Sequence, residues 1–195
     1  MSSDIDNTTP EATEPEYKAQ VTELNTQARA HLTQGEWEEA VALYTQARDV
    51  LHQAGDGSGE AEALNNIASV YLAMDKWTEA LDFGEQSRAL FKTAGDQKGE
   101  ATVLNDIAAA HNGMGNWPKA EELYEEALAL RQATGDAEGE AKTLRNLAIV
   151  FAQHGNPPKA KTYLTKALLL AKQAKSKEMI AAIRKTLSQL PRFRR

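Results

Sequence analysis

The chain of 195 residues is long enough for one ordinary domain or one short solenoid, and 42% of it is hydrophobic, which argues against disorder throughout. It contains no cysteine, so disulfide frameworks and thiolate metal sites are excluded. The formal net charge is -6, but residues 1–140 contain 27 acidic against 9 basic side chains, whereas residues 141–195 contain 1 against 13. This polarity indicates either two solvated faces or a surface that orients a charged partner.

The first sixteen residues are acidic, contain Pro10 and Pro15 and offer almost nothing to bury. They predict a disordered acidic tail over residues 1–16. The segment lacks the basic start and apolar run of a secretory signal, and no stretch of the chain is apolar enough to span a bilayer. We therefore expect a cytoplasmic protein without membrane insertion.

A helical hairpin is predicted next. Apolar residues at helical spacing begin at Val21 and Leu24, and Gly35 ends this first helix. A second helix begins near Trp37 and ends at Gly55. Neither helix can bury its apolar stripe alone, so the two are expected to pack as an antiparallel pair.

This hairpin pattern recurs every forty residues, which is the signature of a stacked repeat array. The predicted domain covers residues 17–190, and its repeats span residues 17–55, 56–95, 96–135 and 136–175. Ser176 is placed to cap a last helix over residues 176–190, and a lone helix with one polar side shields the open end of a solenoid. Residues 191–195 form a short basic tail.

Two columns of alanine indicate where helix backbones approach each other, because the same two positions are alanine in every unit. The first column contains Ala28, Ala68, Ala108 and Ala148, and the second contains Ala40, Ala80, Ala120 and Ala160. Trp and Tyr at larger positions are expected to fill the space between successive hairpins. Gly84 occupies a column that is otherwise Tyr44, Tyr124 and Leu164, so we expect looser packing in the second unit.

The third unit shows the family pattern most clearly, as Leu104, Ala108, His111, Ala120, Tyr124 and Ala127. In this pattern the chain resembles the tetratricopeptide repeat (TPR) family, in the long-repeat variety of kinesin light chains and Pins-type adaptors. The unit exceeds the usual 34 residues of the family. The resemblance implies an all-α fold, a right-handed superhelical solenoid of four helix-turn-helix repeats plus a C-terminal capping helix. It also implies a concave groove, lined by the first helix of each repeat, that receives an extended peptide or a helix.

Polar residues on the inner side of these first helices are the candidate peptide-binding residues. An amide has both a donor and an acceptor, so a row of asparagines can pair with the backbone of an extended peptide. The alternative is that these asparagines bond neighbouring helices or water. The candidates are Arg29, Asn65, Asn66, Asn105, Asn112, Lys142, Arg145 and Asn146.

Repeats of the resembled family that bind chaperone C-termini use lysine, arginine and asparagine to hold the terminal carboxylate. Lys142, Arg145 and Asn146 offer these residue types, but Asp106 lies where it repels a carboxylate. The sequence therefore argues against a cochaperone role. The basic fourth unit still favours an acidic ligand segment.

No catalytic, metal or cofactor site is recognisable. His31 and His111 share a column with Tyr71 and Phe151, which indicates packing, and no histidine pair has metal-ligand spacing. No nucleophile and base are paired in the pattern. Nucleic acid is not expected as a partner because the overall charge is acidic.

The sequence therefore predicts a non-enzymatic protein–protein interaction adaptor that binds a protein or peptide in its concave groove. One alternative is a scaffold that assembles head to tail into a homo-oligomer, with the acidic first units meeting the basic last unit of a neighbour. A second alternative is an assembly factor or regulator that holds a client enzyme.

Overall fold

The computed structural model describes residues 14–190, and side chains from residue 16 onward. Within this range the chain forms nine α-helices and no strand. In chain order the helices are α1 (Glu14–Gln34), α2 (Trp37–Gln53), α3 (Gly57–Ala73), α4 (Trp77–Ala94), α5 (Gln97–Gly113), α6 (Trp117–Thr134), α7 (Ala137–Gln153), α8 (Pro157–Gln173) and α9 (Lys177–Gln189).

The first helix begins inside the segment that the sequence analysis assigned to the acidic tail. α1 begins at Glu14, so the last three residues of the predicted acidic tail are helical. Pro15 fits there because proline is tolerated in the first turn of a helix. The rest of that tail, residues 1–13, and the basic tail, residues 191–195, lie outside the described residues.

Local capping defines each unit. Asp56, Asp96 and Asp136 stand directly before α3, α5 and α7, and each accepts a hydrogen bond from a backbone N–H in the first turn. A left-handed residue recurs every twenty positions at the helix ends, where L side chains are disfavoured. Six of these residues are glycine, and the other two are Asp75 and Lys175. The turns are therefore specified by residue type at the positions that require positive φ.

The array is curved because its two layers pack differently. Consecutive helices pack side by side throughout, and α3, α5, α7 and α9 also contact one another directly. The even-numbered helices make no such contact with one another within residues 14–190, and neither do α1 and α3. Helices that approach more closely lie on the inside of a bend. The odd-numbered helices therefore line the concave face and the even-numbered helices the convex face.

The alanine columns are buried, which confirms the predicted backbone approaches. All eight alanines are 0–2% exposed. Gly84 corrects one expectation, since the second unit is not loosened there. A Cβ atom on Gly84 would lie 2.9 Å from Cγ1 of Ile107, so glycine allows α4 to approach α5 closely. Phe83 turns instead to stack on Tyr71, with ring centroids 5.5 Å apart.

Both ends of the described array present polar side chains where inner units bury apolar ones. Gln27 is exposed on α1, whereas Ile67 at the corresponding position of α3 is buried. Arg184 is exposed on α9, whereas Leu144 at the corresponding position of α7 is buried. These polar faces allow α1 and α9 to meet water, as predicted for the capping helix.

Candidate functional site

All eight candidate residues lie on odd-numbered helices. Arg29 is on α1, Asn65 and Asn66 are on α3, Asn105 and Asn112 are on α5, and Lys142, Arg145 and Asn146 are on α7. The resemblance predicted that the first helices line the groove, and the packing of the odd-numbered helices places these residues in that layer. Their side chains differ in the number of hydrogen bonds that they make within the protein.

Side-chain hydrogen bonds join neighbouring odd-numbered helices at a constant offset. Nδ2 of Asn146 donates to Oδ1 of Asn105 at 3.2 Å, and Nδ2 of Asn112 donates to Oε1 of Gln153 at 2.9 Å. Nε of Arg145 donates to Oγ1 of Thr186 on α9 at 3.0 Å. Each pair is 41 residues apart in the chain, so the odd-numbered helices run parallel in matching register.

Asp106 lies at the centre of this polar layer. Its carboxylate accepts hydrogen bonds from Oγ of Ser69 at 2.8 Å and from Nδ2 of Asn105 at 3.5 Å. Burial raises the pKa of Asp106, and the opposing effects of the Lys142 charge and the two hydrogen bonds are smaller. Burial also raises the pKa of Tyr124, with a further contribution from the charge of Asp106.

Asn105 is not free to bind a ligand. Its side chain is only 2% exposed, and both ends of its amide are engaged, one by Asn146 and one by Asp106. Of the two interpretations that the sequence left open for the asparagines, bonding between helices applies to this pair. Its role is to hold α5 against α7.

The pH dependence of stability tests the environment of Asp106. Because its pKa is raised on folding, the folded state binds the proton more tightly than the unfolded state. This contribution is fully present below the unfolded value, about 3.8, and is lost as pH rises through the folded-state pKa. We therefore expect wild type to lose stability relative to Asp106→Asn as pH rises above about 3.8. Urea unfolding of both proteins measures this difference; a difference that does not change with pH contradicts it.

Other candidates keep at least one polar group without a hydrogen-bond partner among the described residues. Arg29 and Lys142 are exposed, and Asn66 is half-buried; none of the three makes a side-chain hydrogen bond to another described residue. Oδ1 of Asn65 and Oδ1 of Asn112 are buried and have no partner among the described residues. An unpaired buried acceptor costs about 1–3 kcal/mol, so both sites favour a donor from elsewhere. The uncommitted polar groups therefore lie on α1, on α3, at the C-terminal end of α5 and, with Lys142, in the first half of α7.

The residue types of a carboxylate clamp, Lys142, Arg145 and Asn146, are only partly available to a ligand. Lys142 is exposed, but Arg145 bonds Thr186 and Asn146 bonds Asn105. Asp106 lies beside them, as the sequence suggested. The three residues therefore do not converge as free donors on one point, which agrees with the sequence argument against a cochaperone role.

A hollow of about 570 Å³ lies beside these residues and was not predicted. It exists because α5 has small residues, Ala109 and Gly113, one turn apart, and a Cβ atom on Gly113 would lie 2.8 Å from the ring of Trp77. The sequence signal was available, since Gly113 stands in a column otherwise occupied by larger residues. The lining residues are Leu72, Trp77, Ala109, Asn112, Gly113, Gln153 and His154.

Two other findings limit the chemistry of the site. No group of three or more histidine, aspartate or glutamate side chains in residues 14–190 is arranged to hold a metal ion. Among the helices that the structure describes, none has the length and apolar character required to cross a membrane.

Comparison with known proteins identifies similar chains. The family model described as tetratricopeptide repeat matches residues 20–93 and 99–173. A putative kinesin light chain from Podosopora anserina, with nearly identical TPR-like repeats, matches with a TM-score of 0.68 and 20% identity over 91% of this chain and 87% of that one. Comparison with curated protein sequences gave no match.

Two longer proteins also share the fold. Aspartyl phosphate phosphatase F from Bacillus subtilis matches with a TM-score of 0.79 and 10% identity over 90% of this chain and 46% of that one. A Rap protein, in a complex with Competence and Sporulation Factor, matches with a TM-score of 0.78 and 16% identity over 88% and 48%. This chain spans about half the length of these two proteins.

Proposed function

The chain belongs to the tetratricopeptide repeat family, and from this premise we propose that it is a non-enzymatic adaptor that captures a partner protein on its concave face. The captured element is an extended peptide segment or a helix. The observation that carries the proposal is the uneven use of the inner polar residues. Asn105 and Asn146 bond each other, whereas Asn65 and Asn66 make no side-chain hydrogen bond to another described residue.

The proposal divides the inner residues into two roles. Asn105, Asp106 and Asn146 hold the odd-numbered helices in register and make the wall rigid. Arg29, Asn65, Asn66, Asn112 and Lys142 contact the ligand. A preformed wall favours binding because less conformational freedom is lost when the ligand arrives. The hollow lined by Leu72 and Trp77 would receive an apolar side chain of the ligand.

A similar fold supports this mode of action. The Rap protein that matches this chain was solved in complex with Competence and Sporulation Factor. The proposal places the adaptor in the cytoplasm, which fractionation of cells expressing the protein would test.

Affinity capture with a groove variant tests the proposal. We expect Asn65→Ala/Asn66→Ala to weaken partner binding about thirtyfold, because two amide hydrogen bonds of about 1 kcal/mol each are lost. Gln46→Ala/Gln86→Ala is the matched control, since both glutamines are exposed on the convex helices α2 and α4. Equal retention of partners by both variants, with helicity intact, would move the binding surface away from the groove.

A further inference from the structure

The hydrogen bond between Asn146 and Asn105 has an incomplete counterpart one unit earlier in the array. Nδ2 of Asn146 on α7 donates to Oδ1 of Asn105 on α5, and the two residues are 41 positions apart. The same offset pairs Asp106 on α5 with Asn65 on α3, and α3 contacts α5 directly, as α5 contacts α7. Oδ1 of Asn65 is nevertheless buried without a partner among the described residues. The acceptor is present, but a carboxyl group stands at the donor position.

The first two odd-numbered helices show a different reason for a missing bond at this offset. Asn66 on α3 has an amide donor, and the offset pairs it with Asn25 on α1, whose Oδ1 is also buried without a described partner. α1 and α3 do not contact each other, so the donor does not reach the acceptor. Helix separation does not explain the unpaired oxygen of Asn65, because α3 and α5 are in contact. The missing element there is a hydrogen atom, since an ionised carboxylate only accepts.

The carboxyl group of Asp106 is held towards α3. Its Oδ2 accepts from Oγ of Ser69 at 2.8 Å, and Ser69 lies one turn after Asn65 on the same face of α3. The contact of its Oδ1 with Nδ2 of Asn105 is longer, at 3.5 Å. Oδ1 is therefore the oxygen that is better placed to carry a proton and to donate it across to α3.

The surroundings of Asp106 favour its neutral form. Burial raises its pKa, and the charges of Lys142 on α7 and Arg131 on α6 oppose this with smaller effects. Within residues 14–190, no charged side chain of α3 or α4 contributes to this shift. Tyr124 also lies near it on α6, and burial raises the pKa of that phenol, so it stays neutral. Asp106 therefore binds a proton at a higher pH than an exposed aspartate does.

We propose that protonated Asp106 donates a hydrogen bond from Oδ1 to Oδ1 of Asn65, and that this bond joins α3 to α5 as the amide pair joins α5 to α7. The bond forms when the proton binds and is lost when the proton leaves, so the connection between the second and third units responds to pH. Protonation also occupies an acceptor that the proposed function assigns to a ligand, and only this consequence rests on that function. The bond itself lies within the chain and is tested without a partner.

Nuclear magnetic resonance of the isotope-labelled full chain follows both ends of the proposed bond. We expect the Cγ signal of Asp106 and the side-chain amide signals of Asn65 to shift together, with one common midpoint above pH 3.8. In the Asp106→Asn variant the signals of Asn65 should no longer follow pH in this way. Signals of Asn65 that stay constant while Asp106 titrates would overturn the proposal.

Two double-mutant cycles distinguish a hydrogen bond from simple proximity. Asn65→Ala and Asp106→Ala should be coupled about fivefold in the unfolding equilibrium constant below the midpoint, and uncoupled above it. Ser69→Ala with Asp106→Ala is the matched control and should show the opposite trend, because the hydroxyl of Ser69 bonds the ionised carboxylate more strongly. A coupling between Asn65 and Asp106 that does not fall as the carboxyl group ionises would contradict the proposal.

Asp106→Asn keeps the inference testable if acid unfolds the wild type. This substitution supplies an amide donor at neutral pH, in the arrangement that Asn146 already has with Asn105. At neutral pH, Asn65→Ala should therefore raise the unfolding equilibrium constant about fivefold more in the Asp106→Asn protein than in wild type. Equal effects in the two backgrounds would show that the two side chains do not meet, and the proposal would be wrong.

Discussion

We expect Asp136→Ala to lower the free energy of unfolding by about 3–5 kcal/mol, the range for breaking a buried ion pair on one side. Oδ2 of Asp136 accepts from Nη1 of Arg131 at 2.6 Å, and Oδ1 accepts from the backbone N–H of Gly139 at 2.9 Å. Arg131 is 4% exposed, so removing the carboxylate leaves a buried cation without its counter-charge.

Asp96→Ala is the matched control for this effect. Asp96 caps α5 in the same way that Asp136 caps α7, but Phe91 stands where the third unit has Arg131. Loss of the cap alone costs about 0.5–2 kcal/mol. Chemical denaturation of the two variants should therefore differ by the contribution of the ion pair, and equal losses would contradict the assignment.

Arg131→Leu tests the same ion pair by removing its cation. Leu51 stands at this position in the first unit, so leucine is compatible with the packing. Because an apolar residue needs no counter-charge, we expect Arg131→Leu to cost less than Asp136→Ala. In the double variant, the loss should approach that of Asp96→Ala. A double-mutant cycle on the free energy of unfolding measures this coupling.

The second large effect is expected at Gly99, in the first turn of α5. A Cβ atom built on Gly99 would lie 2.3 Å from Cδ1 of Phe91, whose ring is buried. The phenyl ring occupies the space over the first turn of α5, so Gly99→Ala forces it away. We expect a loss of about 1–3 kcal/mol, the usual range for overpacking, seen as a lower midpoint of thermal unfolding.

A double-mutant cycle that combines Gly99→Ala with Phe91→Ala identifies the cause of this loss of stability. Phe91→Ala alone leaves a cavity and should cost about 3–5 kcal/mol. Adding Gly99→Ala to it should cost little, because the new methyl group enters space that the ring has vacated. Gly57→Ala is the control, since it lies in the first turn of α3 with no atom near the added Cβ. An additive double variant would contradict the steric explanation.

These two contacts, Arg131 with Asp136 and Phe91 with Gly99, show how one recurring sequence pattern accommodates different side chains. Each of three recurring glycines lies under a side chain from the last turn of the preceding even-numbered helix: Leu51 over Gly59, Phe91 over Gly99 and Arg131 over Gly139. The recurrence of the glycine was visible in the sequence. The structural reason for the glycine was not visible in the sequence, because the contact joins two helices across a turn and depends on the distance between them.

Most of the fold was predictable from the sequence because its determinants are local. Asp56, Asp96 and Asp136 cap helices within three residues of themselves, and the alanine columns recur with the period of the unit. The consequence of Gly84 was not predictable. A missing side chain permits either a gap or a closer approach, and only the position of Ile107 distinguishes them.

The candidate site was likewise predictable from the sequence only in part. The sequence by itself determined that amides and cations line the first helix of each unit, since helical periodicity assigns each residue to a face. Only the tertiary structure decided which of them remain free. Asn65 and Asn105 occupy the same column, yet Asn105 is sealed between Asn146 and Asp106. Hydrogen bonding between helices depends on their separation and register to within an ångström, and residue spacing along one helix does not contain that information.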